Sequence, residues 1–104
     1  MNDPALARLT LLYPPALEAD LVELLLDYEP ELPGFTTLEC EGHGADFEGA
    51  SMRERVRGRV ARGMLVMVLP ESTVEALIGR LAARIRNPEV HWWVVPVSAF
   101  GQLA

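Results

Sequence analysis

Arg53, Arg55, Arg57 and Arg59 recur at every second position. In an extended chain this spacing points all four guanidinium groups to one face, whereas a helix would spread them over a broad arc. Parallel guanidinium forks hold phosphate or carboxylate oxygens in bidentate pairs. The row therefore predicts a site for a small anionic effector. Gly42, His43 and Gly44 open the loop that leads to it, and three glycines within eight residues can free backbone N–H groups for an anion. No GxxxxGK[ST] run follows, so this is not a P-loop. Ion pairing within the protein competes with the ligand reading: Glu39 and Glu41, on the strand before the loop, can neutralise arginines across the ladder.

Glu39, Glu41 and His43 share parity, so an extended strand presents two carboxylates and an imidazole on one face. That donor set suits a divalent metal. Cys40 falls on the opposite face with Leu38. No cofactor is fixed by these residues; a nucleotide and a divalent metal are the two classes they admit. No nucleophile–base–acid spacing appears, and the expectation is a protein that is not an enzyme.

Residues 1–52 carry a charge balance of −10, residues 53–62 one of +4, and residues 63–104 one of zero. An acidic chain with a single basic stripe is not built for general nucleic-acid binding, which needs a broad basic surface. Half of the 104 residues are hydrophobic, enough for the core of one domain spanning 1–104. The one cysteine excludes an internal disulfide and any CxxC metal motif. Met1-Asn2-Asp3-Pro4 lacks a secretory pattern, and no apolar run approaches membrane-spanning length. The expected location is cytoplasmic, without membrane insertion.

The elements that must position these residues follow from periodicity. Leu9–Tyr13 reads as a strand, closed by Pro14-Pro15. Leu17, Leu21, Leu24, Leu25 and Tyr28 form one face of a helix. Phe35–Glu41 is a second strand and Arg53–Leu69 a long third one. Ser72 and Glu75 have capping-box spacing before a helix whose stripe is Val74, Leu77, Ile78, Leu81 and Ile85. Val90–Val97 is the last strand, with Trp92 and Trp93 facing opposite ways, one under the helices and one on the second surface. The tail from Ser98 to Leu103 docks or pairs.

The order β-α-β-β-α-β is the α+β, ferredoxin-like plan: two helices on one face of a four-stranded antiparallel sheet. The third and fourth strands are apolar on both faces, so the second face needs a cover. Another subunit is the expected cover, preferably in a trimer with sheets facing inward, with a dimer as the alternative.

The β-α-β-β-α-β order, the long loop between strands 2 and 3 and the closing Pro96-Val97-Ser98-Ala99-Phe100-Gly101 resemble the PII-like superfamily, and Gly34-Phe35 through Gly42-His43-Gly44 with Arg55-Val56-Arg57-Gly58-Arg59 resemble one branch of it. That superfamily holds trimeric signal-transduction proteins and the divalent-cation tolerance proteins. The resemblance is strongest to a small proteobacterial branch without assigned function, often encoded near heavy-metal efflux pumps. It implies a regulatory protein that senses an effector and acts on a partner, such as a membrane transporter, through the loop between strands 2 and 3. The signal proteins carry a Gly- and Lys-rich phosphate loop where this chain has Arg86-Asn87-Pro88-Glu89, and a modified Tyr in the long loop where residues 42–55 have none. A metal-binding tolerance protein and a purely structural interaction module are the alternatives.

Overall fold

The computed structural model describes residues 4–44 and 59–104. Four strands, β1 (Leu6–Tyr13), β2 (Phe35–His43), β3 (Arg59–Pro70) and β4 (His91–Val97), form one antiparallel sheet in the order β2-β3-β1-β4. Helices α1 (Glu18–Leu26) and α2 (Val74–Arg84) connect them, each entered through a short 3₁₀ turn. This is the ferredoxin-like arrangement.

Alternation along the central strands sorts the two faces. Ala7, Leu9, Leu11 and Tyr13 of β1 and Leu65, Met67 and Leu69 of β3 are buried under the helices. Leu21 and Leu25 of α1 and Val74, Leu77 and Leu81 of α2 complete that core. Each leucine, valine or methionine among them contributes roughly 1.5–3 kcal/mol by leaving water. Among the described residues, nothing covers the opposite face. Leu12, Met64, Val66, Val68, Val95 and Val97 lie on it half-buried, and Trp93 and Leu38 are 39% and 46% exposed. Thr10, at its centre, is buried between its register partners Val66 and Trp93.

β1 begins at Leu6, three residues before the apolar run. Ala7 is buried and Arg8 exposed, so the alternation continues into a segment whose composition hides it. The capping box at Ser72 and Glu75 does not form. Pro70 starts a 3₁₀ turn over Glu71–Thr73, α2 starts at Val74, and no side chain caps it. The Thr73 hydroxyl instead donates to the Pro70 carbonyl at 2.7 Å. Between α2 and β4, the Glu89 N–H donates to Asn87 Oδ1 at 2.8 Å and the Val90 N–H to the Asn87 carbonyl at 3.1 Å. An asparagine turn thus shapes this connection.

Gly63 fixes a close approach at the end of β1. It pairs with Tyr13, whose ring lies across it; a Cβ at Gly63 would sit 2.3 Å from Tyr13 Cε2. The Tyr13 hydroxyl donates to Glu18 Oε1 at 2.8 Å, tying β1 to the first turn of α1. Burial and this bond to a carboxylate push the Tyr13 phenol pKa well above its ordinary value.

Candidate functional site

The ladder between β2 and β3 runs on after β1 ends. Beyond the Tyr13–Gly63 pair lie four more, Cys40–Arg62, Glu41–Ala61, Gly42–Val60 and His43–Arg59. These make a two-stranded arm that carries the chain about 13 Å past the sheet at ~3.3 Å per residue. Its two faces differ in chemistry, because side chains alternate.

One face carries Glu39, Glu41, His43 and Arg59, as parity predicts. Arg59 Nη1 donates to Glu41 Oε2 at 3.1 Å, a diagonal pair across the ladder. Both side chains remain substantially exposed, 41% and 50%. Such a pair is worth about 0.2–1 kcal/mol, weak enough for an anion to displace the carboxylate.

The other face carries Cys40, Val60 and Arg62. Val60 and Arg62 are buried, and Arg62 Nη1 donates to the Ala61 carbonyl at 2.9 Å. Arg62 therefore stands apart from Arg59 and serves the arm's packing. The Cys40 thiol donates to the Arg62 carbonyl at 3.5 Å. Burial raises its pKa, with the nearby Arg62 charge opposing the shift. It remains a neutral thiol at neutral pH, away from His43. Gly42 is buried in the ladder, and Gly44 leaves it at φ 104°, a left-handed conformation that glycine adopts without strain.

Of the predicted effector residues, Gly42, His43, Gly44 and Arg59 gather at the end of the arm. Arg53, Arg55 and Arg57 lie outside the described residues, as does the first part of the predicted third strand. The metal donors Glu39, Glu41 and His43 share a face, but among the described residues no group of three His, Cys, Asp or Glu side chains comes together to hold a metal ion. Same-face neighbours on one strand stand about 6.6 Å apart, too widely spread to converge without a bend.

Residue types alone did not reveal the cavities. A groove of about 350 Å³ runs between the helices, with Asp20, Glu23 and Asp27 on one wall and Arg80 and Arg84 on the other. Arg80 stacks over Tyr28, its guanidinium carbon 5.3 Å from the ring centroid. The opposite charges of the two helix faces were the available signal. A second groove, about 340 Å³, is floored by Leu11, Leu21 and Leu81 and lipped by Trp92. Trp92 and Trp93 do face opposite sides of the sheet, but both are more than one-third exposed. No helix among the described residues is long and apolar enough to cross a membrane.

Solved structures share this architecture, and two of them are as follows. A crystal structure of a DUF3240 family protein from Shewanella baltica OS155 superposes with a TM-score of 0.74, at 22% identity over 95% of this chain and 97% of that one. A Bacillus cereus protein related to NIF3 gives a TM-score of 0.70 at 15% identity, over 95% of this chain but only 27% of that longer one. At these identities the likeness shows the fold. No curated protein matches. Residues 4–104 match the family model described as a protein of unknown function, DUF3240, and the chain belongs to that family.

Proposed function

We infer that this is a non-enzymatic, PII-like regulatory protein, a trimer of domains with inward-facing sheets, in which the arm binds a small anionic effector and passes its state to a protein partner. The observation that carries this reading is the arm. It lifts Arg59, weakly paired with Glu41, clear of the sheet and hands the chain on toward three further arginines. The uncovered apolar sheet face supports self-association, since it places half-buried valines and methionine beside an exposed tryptophan. Nucleotides and other phosphates are the effector class that a guanidinium row favours, with the transporter-type partner implied by the PII-like resemblance. The anion reading is favoured over a metal site by the lack of a three-ligand cluster among the described residues.

Isothermal titration with inorganic phosphate, nucleoside phosphates and divalent metals tests this. The expected result is anion binding that weakens with salt and is lost in Arg57→Ala plus Arg59→Ala. No binding by the unaltered protein, or equal binding by the double variant, overturns the effector role. An interaction module whose Arg59 only pairs with Glu41 would give that second outcome.

A further inference from the structure

We propose that residues Ser98–Leu103 of one copy are donated to a second copy of this chain, lying along the free edge of β4 with Phe100 in the groove lipped by Trp92. The segment contributes nothing to its own core: after Val97 it forms no strand, and Phe100 is 70% exposed and Leu103 fully so. Two large apolar side chains within four residues, on a stretch with no charge, are suited to a dry site.

The matching surface lies at the other end of β4. The groove of about 340 Å³ is apolar apart from Arg86 and Asn87, and Trp92 at its lip is half-exposed. Among the described residues β4 is an outer strand, so His91–Val95 present a backbone edge with no partner strand there, beside that groove, while Pro96 blocks pairing further along. An extended segment can add to such an edge by main-chain hydrogen bonds and place alternate side chains in pockets.

Reach decides that the donor is another copy. Trp92 is five residues from Val97, about 16 Å along the strand, and Phe100 is only three residues beyond Val97, a span of at most ~10 Å. Phe100 therefore cannot fold back to its own groove. Passing each segment to the next copy is a heterologous contact, which gives a ring where the rotation between copies closes and a filament where it does not. The inference rests on the self-association in the proposed function and adds the element that joins the copies.

A Cys40→Ser background carrying Phe100→Cys and Ala82→Cys tests it, Ala82 being on the groove wall. Mild oxidation is expected to give a ladder of covalently linked chains on a reducing-agent-free gel, and Phe100→Ser alone to raise the dissociation constant at least tenfold by light scattering. A cyclised single chain, or no disulfide while the unaltered protein is oligomeric, overturns the donation but leaves the sheet-face association standing. A monomeric unaltered protein overturns both.

Discussion

Replacing Gly63 with alanine should be among the most damaging small substitutions in this chain. The added Cβ would lie 2.3 Å from Tyr13 Cε2, 2.8 Å from Cζ and 3.1 Å from Cδ2. The ring cannot swing away freely. It is fully buried, and its hydroxyl is held by Glu18 at 2.8 Å. Overpacking of this kind costs about 1–3 kcal/mol. Moving the ring adds up to ~1 kcal/mol for the strained hydrogen bond. A loss of about 2–3 kcal/mol from a domain of ordinary stability, ~5–15 kcal/mol, lowers the melting temperature by roughly 10–20 °C. Urea unfolding followed by tryptophan fluorescence and circular dichroism measures it. The same substitution in a Tyr13→Leu background separates the clash from any intrinsic cost of losing glycine, because the coupling appears as non-additivity. A change below about 0.5 kcal/mol, or an equal penalty with and without the Tyr13 ring, would refute the close-approach argument.

Three further outcomes follow from the same geometry. Tyr13 keeps its proton when folded at pH values where an unfolded tyrosine, ionising near ~10, has lost it; stability is therefore full below about pH 10 and falls above it, by up to ~1.4 kcal/mol per pH unit, and Tyr13→Phe should flatten that decline in urea titrations between about pH 8 and 11. Glu41→Gln should cost less than about 1 kcal/mol in thermal unfolding, because the Arg59 pair is exposed, and should strengthen phosphate binding by up to ~5-fold at low salt by releasing Arg59. Met64→Glu, on the uncovered face, should dissociate the oligomer in light scattering while leaving the circular dichroism spectrum of the folded domain intact.

Much of the fold was legible because its signals are local. The leucine stripe of α1, the apolar run Met64–Leu69 and the Pro and Gly breaks each specify one element, and the order of elements leads to the ferredoxin-like plan. Parity on β2 was also legible, since strand alternation is steric: Glu39, Glu41 and His43 share a face, and Cys40 does not join them. What spacing could not supply was register. The continuation of the ladder past Tyr13, which turns a strand pair into an arm, depends on where β1 stops relative to β3. The pairing of Arg59 with Glu41 follows from that register as a diagonal contact. Ser72 and Glu75 matched a capping box, yet the Pro70 turn and the Thr73 hydroxyl satisfied the helix start differently. Gly63 carried a readable signal, an isolated glycine inside a strand, but its partner ring became evident only with the sheet assembled. The grooves at Trp92 and between the helices are tertiary features, built from residues up to 81 positions apart in sequence, as Leu11 and Trp92 are.

The proposed role requires that this domain work as an oligomer holding a small anion at the arm. Native mass spectrometry of the protein purified from its own cells measures both at once. The expected result is a trimer carrying a retained small-molecule mass that is lost in Arg59→Ala. A bare monomer, or a retained mass unaffected by Arg59→Ala, would contradict it.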